Sequence, residues 1–314
     1  MKKLVLSIAA LLSISVSNVW AEGNSTNASS VRYVKAPRFV RPLVEKWISE
    51  YEKTQPGVTF QIAKGNQNQG NIDLNVVFDN QPTKDTDTKD FSHNIVYFGE
   101  FAVLPITASG SEAAKVLEGK HLNSKKLKQL YFLNDDFDED VKKIKQFEQL
   151  VIYSGSNATS VAASFAHHFG EESSSFRGKR ISGDDLFLNT ALEKDPLGVS
   201  FNALPNIFDL KSRHLKAELS LVGLDLKKNL EESFTNATTI DDVIAILENG
   251  HVSEIAVEKL GVSYNGGDDA VGQFLEWVLT NGTKYNHEYG LLNIDNKLTQ
   301  VQIEKVKTIF TAQK

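Results

Sequence analysis

Val151-Ile-Tyr-Ser-Gly-Ser-Asn-Ala-Thr-Ser160 runs on into Val-Ala-Ala-Ser-Phe-Ala-His-His-Phe169, and the order of residue types in that stretch decides the fold. Its apolar, β-branched opening predicts a buried strand, the small hydroxyl and amide residues predict a turn, and Phe165 and Phe169 recur at helical spacing. A helix entered this way leaves its first backbone N–H groups without internal partners and with a partial positive charge. Such an end either holds an anion, with Ser, Thr and Asn hydrogens beside the N–H groups, or is simply capped by Ser156 or Asn157. The stretch alone leaves both readings open.

Working outward, Val31–Val34 reads as a first strand, Lys35-Ala-Pro-Arg38 as a loop, and Phe39–Lys53 as an amphipathic helix with Leu43, Trp47, Ile48 and Tyr51 inward, stopped by Gln55-Pro-Gly57. Val58–Ala63 and Ile72–Phe78 read as strands around a polar loop at Lys64–Asn71. Asn80–His93 is expected to be a surface loop. The apolar run Ile95–Ile106, interrupted at Gly99-Glu100, reads as two strand segments crossing the molecule. Ser124–Phe132 is a helix with Leu127 and Leu130 inward, and the acidic run Asn134–Asp140 lacks the glycine and ligand order of a calcium loop. Ser182-Gly-Asp-Asp185 reads as a helix start, with Ser182 capping and Asp185 reaching back. Val199–Leu204 and Leu219–Leu224 read as strands. Helices follow from Thr239, capped with Asp242 in the third position, from Asp268 to Leu279, and from Thr299 to Phe310. Strands alternating with helices in this way predict an α/β sheet with ligand loops at the carboxyl ends of its strands.

The N-terminus fixes the expected compartment. Met1-Lys2-Lys3, the apolar run Leu4–Leu12 and Val19-Trp20-Ala21 form a secretory signal over residues 1–21, cleaved after Ala21, too short to be a spanning helix. Residues 22–30, rich in Asn and Ser, are an expected disordered lead-in. The chain has no cysteine, which excludes disulfides, thiol catalysis and the lipidated cysteine of a bacterial lipoprotein, so the expected location is the free periplasm. Cleavage removes Lys2 and Lys3 and no acid, taking the net charge from −6 to −8. A protein so acidic, without a basic stripe, is a poor partner for nucleic acid, and no segment is long and apolar enough for membrane insertion.

The order of these pieces resembles the phosphate-binding subunit of ABC transporters, within the type II periplasmic binding proteins. Val31–Pro56 has that family's opening strand, short loop, Pro42-Leu43 and long helix ending in Tyr51-x4-Pro56. Gly65–Val77 resembles its Gly-rich loop and the strand that follows. Val103-Leu-Pro-Ile106 with Leu122-Asn-Ser-Lys-Lys-Leu-Lys-Gln-Leu-Tyr-Phe132 resembles the crossover strand and the helix closing onto it. Tyr153–Phe165 resembles its Arg-x-x-x-Ser-Gly-Thr strand–loop–helix, and Gly282–Leu292, with Tyr289-Gly290, its C-terminal passage. The departures are specific. Ala36-Pro37-Arg38-Phe39 stands where the family offers Gly-Ser-Ser/Thr hydroxyls, the arginine before Ser-Gly-Thr is missing, and Thr159-Ser160-Val161 replaces Ser-Gly-Thr.

The resemblance implies an α/β, two-lobed type II periplasmic-binding-protein fold with a ligand cleft between lobes. Lobe one would comprise residues 30–100 and 223–314, and lobe two residues 101–222. It implies capture of phosphate or a similar small anion for ABC-type uptake, with the transporter's membrane subunits as partners and no cofactor. The expected ligand-binding residues are Arg38, Asn66, Gln67, Asn68, Ser154, Ser156, Asn157, Thr159 and Ser160, with Arg38 arriving from the opposite lobe to restore the missing guanidinium. A plain surface arginine is the equal alternative for Arg38. The alternative function is a non-transport interaction or sensing module of the cell envelope on the same scaffold. Enzymatic signals are weak: His167-His168 are adjacent and face different ways on a helix, a Gly-x-Ser-x-Gly elbow is absent, and the Asp184-Asp185 and Asp268-Asp269 pairs suit helix starts.

Overall fold

A computed structural model describes residues 31–64, 72–79, 94–133, 144–156, 161–228, 230, 234, 239–264 and 268–311. The signal and lead-in, the loop residues 65–71, residues 80–93, the acidic run 134–140 and the turn residues 157–160 lie outside these.

Among the described residues, nine strands form one mixed sheet. They are β1 (Arg32–Lys35), β2 (Phe60–Ile62), β3 (Ile72–Phe78), β4 (Ile95–Ala108), β5 (Val151–Gly155), β6 (Lys179–Ile181), β7 (Gly198–Ala203), β8 (Leu219–Leu221) and β9 (Ala256–Tyr264), in the order β2-β1-β3-β9-β4-β7-β5-β6. The long strand β4 joins two regions of this sheet. Its first part pairs antiparallel with β9 and its second part with β7, while β8 takes over the β9 edge beyond Pro105.

The sequence reading breaks β4 at Gly99-Glu100, whereas the strand is continuous and only shifts register between Tyr97 and Gly99. Gly99 marks a close approach: a Cβ there would lie 2.9 Å from both Asn286 Nδ2 and the Leu292 carbonyl. Glu100 and Leu292 exchange backbone hydrogen bonds of 2.9 and 2.8 Å at that point. A glycine that admits a neighbouring backbone bends a strand without ending it. Strand β9 is a further correction, since the sequence reading assigns nothing to Ala256–Tyr264, nor to the strand Lys179–Ile181 or the helix Glu112–Leu117.

Helix α1 (Arg41–Thr54) has Pro in its first turn, buries Leu43, Val44, Trp47, Ile48 and Tyr51, and ends where Gln55 N–H bonds Tyr51 O and Gly57 takes φ +107°. It is followed by α2 (Glu112–Leu117), α3 (Ser124–Tyr131), α4 (Val161–His168), α5 (Leu186–Lys194) and α6 (Leu204–Ile207). Then come α7 (Ile240–Asn249), with both bonds of the Thr239–Asp242 capping box formed, α8 (Asp269–Trp277) and α9 (Asn296–Thr311).

Within one continuous hydrophobic core, aromatic side chains gather at two places. Phe60, Phe274 and Trp277 gather around Tyr51, and Trp47 meets Phe98 edge-on, on the β1–β3–β9 side. Tyr131, Phe132, Phe165, Phe169, Phe176 and Phe201 pack together on the β5–β7 side, with Phe165 stacked on Phe201 at 4.2 Å. Chain segments before β4 and after β8 therefore meet in one cluster, and Trp47 Nε1 donates to Gly282 O across 2.9 Å.

Arg213 ties the segment after α6 to the C-terminal part. It holds φ +68°, a strained backbone for arginine. Its Nε and Nη2 donate to the Asp241 carboxylate at 2.9 and 2.5 Å, and Nη1 and Nη2 to the Glu288 and His287 carbonyls at 2.9 and 2.7 Å. The guanidinium holds the Asp241 carboxyl below its usual range. Arg213→Ala is expected to lower stability by about 2 kcal/mol, because two carbonyls lose a charged donor while the exposed Asp241 regains water. A urea midpoint equal to the wild type's would show that water replaces those bonds at no cost.

Candidate functional site

Strand β5 ends at Gly155, and Ser156 N–H continues its ladder to Ile181 O at 3.0 Å. The Ser156 hydroxyl donates to Ser182 Oγ at 3.1 Å. Ser182 is thus drawn to the end of β5 and does not cap α5 as the sequence reading has it. The N-cap residue of α5 is Asp185, without a capping bond of its own, while Asp184 accepts Leu186 N–H at 2.9 Å after Gly183 has turned the chain at φ +109°.

Asp185 does not reach back to its own helix. Its Oδ2 accepts Val161 N–H, at the start of α4, across 3.2 Å. Its Oδ1 is buried and has no hydrogen-bond partner among the described residues. Burial pushes this carboxyl up to about 6, against the lowering effect of the Val161 N–H, and neighbouring Asp184 raises it further. Its backbone is fixed from below, because Asn202 Nδ2 on β7 donates to Asp185 O at 2.8 Å. Asn202 in turn meets Asn189 Oδ1 at 3.0 Å, accepts from Asn206 Nδ2 at 2.8 Å, and Asn189 Nδ2 donates to Asn206 O at 2.9 Å. These three asparagines are buried, so the position of the 182–185 turn is set by a satisfied network and not by a mobile loop.

Arg38, in the β1–α1 loop, comes to this turn from the other side. Its Nε lies 3.4 Å from Asp184 Oδ2, and its side chain is 62% exposed. The turn 182–185 therefore gathers Arg38, Ser156 and the start of α4 into one neighbourhood. Phe187, half exposed, stands at its edge against Gly183.

Of the expected ligand-binding residues, Arg38 and Ser156 are brought to this place. Ser154 is fully buried with its hydroxyl unpartnered, so it offers no surface to a solute here. Asn66, Gln67, Asn68, Asn157, Thr159 and Ser160 lie outside the described residues. The sequence reading missed Ser182, Asp184, Asp185 and Asn202 as site residues. The available signal was the doubled acid after Ser182-Gly, which helix-start chemistry explained equally well.

Elsewhere, a hollow of about 240 Å³ is lined by Gln129, Phe132, Leu133, Ile144, Phe147, Glu148 and Arg177. Its cation is committed to structure: Arg177 donates to the carbonyls of Leu130, Leu150 and Phe147. Among the described residues no group of three or more His, Asp or Glu side chains is placed to hold a metal ion, and no helix is long and apolar enough to cross a membrane.

No protein-family model matches the sequence, and no curated protein does. Among solved structures, the fold matches one described as a phosphate ABC transporter substrate-binding protein from Clostridium perfringens with bound phosphate. The TM-score is 0.57, with 11% identity over 85% of this chain and 100% of that one. It also matches an ABC-type phosphate transport receptor from Vibrio cholerae, at a TM-score of 0.51 and 10% identity over 84% of this chain and 100% of that one. At such identities the likeness is one of fold.

Proposed function

From the premise that this chain has the two-lobed α/β fold of the type II periplasmic binding proteins, we propose a solute-binding protein of the cell envelope that takes a small oxyanion such as phosphate for ABC-type uptake. The observation that carries the reading is the meeting of Arg38 with the start of α4 at the turn 182–185. A guanidinium fork on one side and a helix N–H with the Ser156 hydroxyl on the other are donors suited to a tetrahedral or planar oxyanion. An acidic protein needs such local donors to attract an anion against its overall field.

Lobe one then comprises residues 30–100 and 223–314 and lobe two residues 101–222, so that Arg38 and α4 stand on opposite sides of the cleft and a hinge rotation brings them together. Export to the periplasm follows from the signal over residues 1–21. The sequence alone assigns Asn66, Gln67, Asn68, Asn157, Thr159 and Ser160 to the same cleft.

Titration calorimetry against phosphate, sulfate and small carboxylates tests this. Arg38→Ala is expected to weaken binding about tenfold to a hundredfold. Its effect on stability should stay below about 1 kcal/mol, since the pair it breaks is exposed. Unchanged affinity would remove Arg38 from the site.

A second reading has its own support. Arg38 and Val161 N–H already have carboxylate partners within the chain, which favours a scaffold that serves as an interaction or sensing module and delivers no solute. Absence of binding to every anion tested would favour this reading.

A further inference from the structure

The two elements that would attract an anion at this site are both held by the chain's own acids: Asp184 stands beside Arg38, and Asp185 accepts the first described N–H of α4. We propose that Asp185 is a built-in competitor for the oxyanion, leaving the start of α4 only when it takes up a proton, so that anion capture and proton uptake are a single event. This rests on the reading of the site given above and concerns its regulation.

The geometry makes Asp185 a displaceable occupant. Its Oδ2–Val161 N distance of 3.2 Å is at the long end for an N–H donor to a carboxylate, and its buried Oδ1 has no donor among the described residues. A carboxylate satisfied on one oxygen only pays a desolvation penalty that protonation removes. Meanwhile Asn202 fixes the Asp185 backbone, so release requires a side-chain rotation and not a movement of the turn. Among the described residues, few groups bear on this carboxylate. Its own turn supplies Asp184, whose like charge favours protonation, and the β1–α1 loop supplies Arg38, acting through Asp184. Helix α4 supplies the backbone N–H of Val161, and β7 supplies the neutral Asn202. An oxyanion arriving at Val161 N–H beside an ionised Asp185 would set two negative charges together in a partly buried place. Once the carboxyl takes a proton from bulk water, the repulsion disappears and the new O–H can donate. Burial already biases Asp185 toward the protonated form near pH 6.

The test is titration calorimetry of inorganic phosphate and of sulfate, which does not itself titrate in this range, into the chain from Glu22 onward. It is run at pH 5.5, 6.5 and 7.5, each in two buffers of different ionisation enthalpy. The expected result is about one proton taken up per sulfate at pH 7.5, with affinity rising about tenfold per pH unit from 7.5 toward 6. Asp185→Asn keeps an amide oxygen for Val161 N–H. At pH 7.5 it should bind with the wild type's pH 5.5 affinity and take up no proton; for phosphate, the difference between the two proteins isolates the share due to Asp185. Binding by the wild type with no such pH dependence and no proton uptake overturns the inference and leaves the site reading intact. No binding of either anion by either protein at any pH overturns both. Should Asp185→Asn fail to fold, the wild-type proton count decides alone.

Discussion

Replacing Gly178 by alanine is expected to destabilise the protein by about 3–5 kcal/mol, the largest single effect of any substitution considered for this fold. Gly178 holds φ +88°, in the left-handed region, just before β6. A Cβ there would lie 2.3 Å from Ile152 O and 2.9 Å from Ile152 N on β5. Neither atom is the end of a flexible side chain, so relief requires β5 and β6 to move apart. Their parallel ladder, Tyr153 with Lys179 through Gly155 with Ile181, also places Ser156 beside Ser182. The variant should therefore melt roughly 10 °C lower. A loss below about 1 kcal/mol would mean that this sheet edge adjusts freely, and that it does not hold the site in place.

The second large effect concerns Asp185 and pH. An unfolded aspartate titrates at about 3.9, and in the folded protein burial pushes Asp185 up to about 6. Between those values the folded state binds more protons than the unfolded one, so stability falls as pH rises from about 4 to about 6.5 and the full penalty is present at neutral pH. A difference of about 2 pH units corresponds to about 3 kcal/mol. Asp185→Asn should flatten this part of the stability profile, and at pH 7.5 it should be more stable than the wild type by up to that amount. Asp185→Ala leaves Val161 N–H without an acceptor and should fall about 1 kcal/mol short of Asp185→Asn. Urea unfolding at pH 4.5 and 7.5 measures both differences. Parallel profiles for wild type and Asp185→Asn would show that this carboxyl titrates normally.

Much of the fold was legible because local rules and tertiary packing agree. Helix α1 carries its apolar stripe, its proline start and its Pro-Gly stop in sequence, and the Thr239–Asp242 box that opens α7 is formed as written. Where the two disagree, the sequence misleads. Gly99 looks like a strand break and is instead the point where the 286–292 passage presses on β4. Strand β9, Ala-Val-Glu-Lys-Leu-Gly-Val-Ser-Tyr, holds only two β-branched residues, Val257 and Val262, and its place is fixed by pairing on both edges with β3 and β4, distant partners that no local window contains. The site divides in the same way. The sequence offers Ser156 as a hydroxyl at a helix start and Arg38 as a guanidinium arriving from the opposite lobe. The sequence pattern has Asp185 serving its own helix, whereas its carboxylate serves α4, 24 residues away in sequence, with Asn202 on β7 holding the turn's backbone. Long-range geometry of that kind leaves no periodic trace.

The central claim, that a small oxyanion is taken between Arg38 and the start of α4, is tested most directly by a crystal structure of the protein grown with phosphate at pH 5.5. The account predicts an anion within hydrogen-bond reach of the Arg38 guanidinium and Val161 N–H, with the Asp185 side chain turned away from that N–H. Phosphate bound elsewhere, or no phosphate with Asp185 still on Val161 N–H, would contradict it.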